Sequence, residues 1–147
     1  MFVILFNRQF FYNHLSSLIV RSSNSLIYQW TTFKSKYFTM ESVYLEGIEA
    51  CRKCIQDCEY CLMQMAGIES KNDCPLCCIL CIDSCTVTLK FLMAESDFAK
   101  EYCAMCAEVC QWCAEQCGQY DHKHCEDCAN SCVKCMEECR KIVAVLS

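Results

Sequence analysis

The chain has 147 residues, room for one domain, and its three glycines and single proline are too few for a loop-rich or hairpin-rich fold. With 54% apolar residues, cysteine included, it has ample material for a packed helical unit, so the expected fold class is all-α. Net charge is -5, but residues 1–39 carry Arg8, Arg21, Lys34 and Lys36 and no acid, which leaves -9 on residues 40–147 and argues against nucleic acid or an anionic membrane as partner.

Residues 1–39 stand apart from the remainder. They are rich in Phe, Ser, Asn, Tyr and Thr, hold no cysteine, and contain no apolar run near the ~18 residues that a membrane-spanning helix needs. No transmembrane segment is expected in the chain. MFVILF opens the sequence without a preceding basic region and no twin arginine follows, which argues against an export signal. The basic, hydroxylated, acid-free composition leaves import into an organelle open as an alternative. The simpler expectation is that residues 1–39 are a leader or disordered extension, with a mis-assigned start, and that residues 40–147, opening MESVYLEGIEAC, form the functional unit.

Four helices are expected after Met40. The first covers about residues 41–66 and stops at Gly67; its cysteines Cys51, Cys54, Cys58 and Cys61 are spaced three, four, three. The second follows the capping candidates Ser70, Asn72 and Asp73, and tolerates Pro75 because it falls in the first turn. It carries Cys74, Cys77, Cys78, Cys81 and Cys85, and its seam continues into Thr88 and Leu92. Cys77 and Cys78 are adjacent, so one of them must flank the stripe. Ser96 is the expected cap of the third helix, which ends at Gly118 and holds Cys103, Cys106, Cys110, Cys113 and Cys117. Asp121 is the expected cap of the fourth, which runs towards Leu146 and holds Cys125, Cys128, Cys132, Cys135 and Cys139.

An alternation of three and four is the a/d seam of a heptad, so each helix presents its thiols as one stripe. Ordinary bundles fill that seam with leucine. The short connections predict antiparallel neighbours and an up-down-up-down four-helix bundle with a cysteine-lined core. In that topology one end gathers Cys61, Met65, Cys74, Cys117, His122 and Cys125, and the other gathers Tyr44, Leu92, Ala99, Ile142 and Leu146. A seam of five cysteines extends about 20 Å at ~1.5 Å per residue, so the thiols form a column and not one centre.

Nineteen cysteines also invite a disulfide framework, but the odd number and the geometry of cysteines three or four apart on one helix argue against it. Thiolate is the metal-binding form, and a monovalent cation cancels one negative charge per sulfur, so a thiolate column suits Cu(I) at about one ion per cysteine. Tetrahedral zinc would use four thiolates each and leave three of the nineteen over. No ferredoxin-type C-x2-C-x2-C-x3-C-P run occurs. No set of nucleophile, base and orienting group stands out, so no enzyme activity is expected.

The helical CxxC and CxxxC repeats, the segment CAEVCQWCAEQC and the run DHKHCEDCANSCVKCMEEC resemble the copper storage proteins, over about residues 40–141 and on all four helical segments. The resemblance implies a homotetramer of bundles, reduced inward-facing cysteines, multiple Cu(I) ions per chain and loading through one end. It is closer to the cytosolic branch, which carries more cysteines and has no export signal; residues 1–39 depart from its pattern. His122 and His124 read, as residues, either as solvated groups at a helix start or as donors, with His122 on the stripe and His124 lateral; the resemblance implies a copper-loading role for both. Met65 continues the first stripe and reads either as core filler or as a donor that hands Cu(I) inward. Tyr60, Tyr102, Trp112 and Tyr120 read as packing or subunit contacts. Cu(I) storage or sequestration in the cytoplasm is the expected function, with zinc or general metal detoxification, or a disulfide-braced structural bundle, as alternatives.

Overall fold

In the computed structural model, residues 24–147 are described, with side chains from Ser42 onward. Four helices are found among them: α1 (Asn24–Gln64), α2 (Cys74–Met93), α3 (Ala99–Cys117) and α4 (Lys123–Val145). Residues 38–147 form one compact unit, which holds all nineteen cysteines. The expected leader lies outside the described residues over positions 1–23. From Asn24 the backbone is helical, so α1 begins well before residue 41. Neither glycine nor proline occurs between Asn24 and Gly47, and nothing in that stretch breaks the helix.

The caps differ locally from expectation. Pro75 sits in the first turn of α2, as its missing N–H allows. Asp73 occupies the N-cap without a side-chain bond, while Asn72 Oδ1 accepts from the Cys74 N–H at 3.0 Å. Ser96 does not cap α3: the N-cap is Phe98, and Ser96 Oγ accepts instead from the Phe98 N–H in the preceding turn, at 3.3 Å. Asp121 does not cap α4; His122 does, its carbonyl accepting from Cys125 and Glu126 at 2.8 and 2.9 Å. A short polar side chain one or two positions away competes for each such place, which spacing alone does not resolve. Gly67 has φ 77 in the α1–α2 loop, a conformation that a Cβ would disfavour.

The four helices form an antiparallel up-down-up-down bundle whose interior is sulfur. Contacts run from α1 to α2 (Cys54 to Cys81, 3.5 Å), α2 to α3 (Cys81 to Cys110, 3.6 Å) and α1 to α4 (Cys54 to Cys132, 3.6 Å). All nineteen cysteines are buried and free of disulfides. At the end opposite Gly67, Leu92, Ala99 and Ile142 are buried with Tyr44 and Leu146 against them. Gly47 occupies a seam position there because Ile142 fills the space: a Cβ would lie 2.5 Å from Ile142 Cδ1.

The expectation of no membrane-spanning stretch needs one correction. Cys74–Met93 is long and apolar enough to cross a membrane, with mean hydropathy 1.9. Cysteine contributes much of that apolarity, and the seam of this helix is buried in the bundle, as in any core helix.

Candidate metal centre

The thiols stack in layers along the bundle axis. At the loop end, Cys74 and Cys117 approach to 3.2 Å, Cys61 and Cys125 to 3.8 Å, and Met65 Sδ lies 3.5 Å from Cys74 and 3.8 Å from Cys61. The next layer joins Cys58 to Cys128 at 3.5 Å, with Cys78 3.8 Å from Cys128 and 4.0 Å from Cys113. Below it Cys132 touches Cys54, Cys58 and Cys81 at 3.6, 3.9 and 3.8 Å. The fourth layer joins Cys51 to Cys135, Cys85 to Cys106 and Cys85 to Cys135, each at 3.7 Å. Cys103 and Cys139 complete the column next to the apolar end.

Links between layers make this one network. Cys117 reaches Cys128 at 3.6 Å, Cys85 reaches Cys110 at 3.7 Å, and the i,i+4 pair Cys106 and Cys110 stands at 3.9 Å. Four-thiol groups recur with all sulfurs within 4.8 Å of one another, and they share members. Cys54 belongs both with Cys58, Cys81 and Cys132 and with Cys85, Cys110 and Cys135; Cys58 and Cys132 recur with Cys113 and Cys128. Sharing of this kind favours bridging thiolates over isolated tetrahedra.

The ambiguous adjacent pair is resolved by packing. Cys78 faces the column, whereas Cys77 Sγ donates to the Cys74 carbonyl at 3.0 Å and points towards the Cys113 carbonyl at 3.9 Å. Cys77 is the flanking thiol, although it too is fully buried.

Protonation in the column follows from burial and mutual hydrogen bonding. Burial pushes Cys125 up to about 11, against a smaller opposing effect of its bond with Cys61. Deeper in, Cys110 is pushed up, first by its hydrogen bond with Cys106 and then by those with Cys135, Cys54 and Cys81. Cys54 and Cys81 are pulled down, each first by Cys110. Protons are thus shared unevenly along the column, and full ionisation requires incoming positive charge.

The loop end gathers the expected sulfurs, while the histidines stand differently from expectation. Met65 is buried beside Cys61 and Cys74, on the stripe. His122, expected on the stripe, is exposed because it is the extended N-cap residue of α4 and lies outside the helical register. His124 is half-buried, and the two rings stack nearly parallel with centroids 5.4 Å apart. Tyr120 continues this stack at 6.4 Å from His122. Its hydroxyl binds the opposite loop through Ser70, the Lys71 N–H and Asn72, each at 3.0 Å. Spacing along the chain gives no sign of this role for Tyr120, because the partners are some fifty residues earlier in sequence and meet it only in the bundle.

The sequence signature of copper storage proteins, Csp, matches residues 40–144. A curated relative, the uncharacterized cysteine-rich protein YhjQ of Bacillus subtilis (strain 168), is 37% identical over 88 residues, spanning 58% of this chain and 82% of its own. Among solved structures, the Cu(I)-bound copper storage protein BsCsp3 is similar with a TM-score of 0.66 and 34% identity, covering 69% of this chain and 98% of its own. Apo-Csp3 from Bacillus subtilis gives a TM-score of 0.63 at 37% identity, over 67% of this chain and 96% of its own. The Nmul_A1745 protein from Nitrosospira multiformis gives 0.64 at 32% identity, over 71% and 97%. The sulfur-filled bundle and these matches, over most of residues 40–147, lead to one assignment: the chain belongs to the copper storage protein family.

Proposed function

We propose that this chain is a high-capacity store for Cu(I), holding many ions per chain on the nineteen cysteines of its core. The observation that carries this reading is the continuity of the column, in which thiols contact one another within and between layers at 3.2–4.0 Å. Clusters of Cu(I) bridged by shared thiolates suit such a network because each ion neutralises one sulfur. The Cu(I) found in the similar BsCsp3 supports the same reading. Residues 40–147 form the copper-holding unit, a reading supported by the family match from residue 40 and the compact unit from residue 38.

Loading takes place at the loop end. Met65, His122 and His124 serve there as donors that pass Cu(I) to Cys61, Cys74, Cys117 and Cys125, while Leu92 and Ile142 close the other end. The protein acts by binding, in the cytoplasm, and without catalysis. Its bundle assembles as a homotetramer, for which the outward Leu76, Ile79, Leu80 and Met93 of α2 offer an apolar face. Sedimentation of the reduced protein tests the assembly.

A zinc-binding reading draws on the four-thiol groups within 4.8 Å, since tetrahedral Zn(II) also takes four sulfurs. The deciding experiment is an anaerobic titration of the reduced full chain with Cu(I) against a chelator of known affinity, repeated with Zn(II) competing. Saturation at well above about ten Cu(I) per chain, undisturbed by zinc, is expected from the thiolate count. Saturation near one or two would overturn storage.

A further inference from the structure

We propose that Tyr120 is a positioning residue whose hydroxyl clasps the two loops of the donor end together, and so sets the rate at which Cu(I) enters and leaves the column without changing how much it holds. This rests on the storage reading above. The α1–α2 loop and the α3–α4 loop lie at the same end of the up-down-up-down bundle, and Tyr120 in the second loop is half-buried against the first. One phenolic oxygen meets Ser70 Oγ, accepts from the Lys71 N–H and donates to Asn72 Oδ1, all at 3.0 Å. Packing alone does not require this convergence; a phenylalanine would fill the same space.

The clasp leads directly to the outermost sulfurs. Asn72 Oδ1, the oxygen that Tyr120 holds, also accepts from the Cys74 N–H at 3.0 Å, and Asn72 Nδ2 donates to the Gln116 carbonyl at 2.9 Å. Cys74 itself carries one of these anchor points and Cys117 directly follows the other, and the two form the 3.2 Å sulfur pair. On the other side the Tyr120 ring is stacked with His122, and His122 with His124. The hydroxyl therefore joins the histidine stack to the first thiol pair. Cargo that passes this end must part the loops, and each loop opening breaks the same few hydrogen bonds.

A clasp of this kind biases an equilibrium between closed and open ends. Removing it raises the open fraction, which accelerates uptake and release by the same factor and leaves the affinity of the thiols untouched. Y120F keeps the ring and deletes the hydroxyl. N72A, which severs the link from the other side, is the second variant. Reduced full-length wild type and both variants would be mixed with a Cu(I)–chelator complex in a stopped-flow instrument, with uptake followed by thiolate–Cu(I) absorption, and loaded protein would then be challenged with excess chelator. Both variants are expected to load and unload about threefold to tenfold faster than wild type, the range that loss of about one net hydrogen bond gives, at unchanged capacity. Rates equal to wild type in both variants, or a loss of capacity that parallels a lower melting temperature, would overturn the clasp. Failure of the wild type itself to take up many Cu(I) ions would instead overturn the storage reading on which the clasp depends.

Discussion

Cysteines in this core differ in what they touch, and capacity should follow those contacts. Cys132 contacts sulfurs from α1 and α2 at 3.6–3.9 Å, while Cys77 makes its short bond to a carbonyl. Replacing Cys132 by serine is therefore expected to lower the Cu(I) capacity by more than replacing Cys77 does, by metal analysis of saturated protein. Glu138 is a second informative residue. It is fully buried, and its Oε1 accepts from Lys134 at 2.5 Å and Lys141 at 2.8 Å, whereas Oε2 has no hydrogen-bond partner in the structure. Burial favours the neutral acid, but the two ammonium groups prevail and hold the carboxyl below its ordinary value. A depressed carboxyl gives stability that is present above the unfolded value of about 4.3 and is lost as pH falls through the folded one. The reduced apo-protein should lose stability in that acid window, and Glu138→Gln should flatten the loss; identical acid profiles by circular dichroism would rule the ion pairs out as a source. Residue identities were readable here before folding, yet the difference between Cys77 and Cys78 was not. Adjacent positions on a helix lie about 100° apart, and only the neighbouring helix decides which one faces the column.

At the scale of the helices, each seam changes character along its length. The α1 seam carries Gly47 and then four cysteines, and the α4 seam carries five cysteines and then Ile142. Since Ile142 Cδ1 occupies the space where a Gly47 Cβ would stand, the two helices close the apolar end by complementary size. Truncation by Ile142→Ala is expected to cost about 2–4 kcal/mol through lost burial and the cavity left behind. Denaturant unfolding of the reduced apo-protein measures it, and the Cu(I) capacity should remain that of the wild type because no thiol is removed. The existence, order and thiol register of these helices were legible in the alternation of three and four. Their starts were less so. Ser96 and Asp121 are good capping residues, but Phe98 and His122 hold the N-cap positions, because Ser96 is engaged in the preceding turn and the loop after Gly118 sets where α4 begins.

For the molecule as a whole, the column couples folding, protons and copper. Cys125, at the loop end of the column, is pushed up to about 11 by burial. A raised value means that the stability it contributes is complete below the ordinary thiol range, near pH 8.5, and is lost as pH rises through the folded value. The melting temperature of the reduced apo-protein should therefore fall between about pH 8.5 and 11, with the sign reversed from that of Glu138. Because thiols must ionise to bind metal, Cu(I) added near pH 7 should release about one proton for each thiolate formed, measurable with an indicator in weak buffer. Copper bound only by the folded column should also raise the melting temperature, by linkage; equal melting of apo and loaded protein would contradict this.

The sequence by itself determined the class, the helix count after Met40, the burial of every cysteine and the separation of a sulfur-lined end from an apolar end. It could do so because the period of a helix converts spacing directly into a face, and seams filled mainly by thiols place those thiols in the core. Only the tertiary structure decided which sulfurs touch, that Cys77 flanks the column, that His122 stands outside it and that Tyr120 ties the two loops. Those facts depend on the rotation and closeness of helices brought together from distant parts of the chain, and a local pattern carries no information about either.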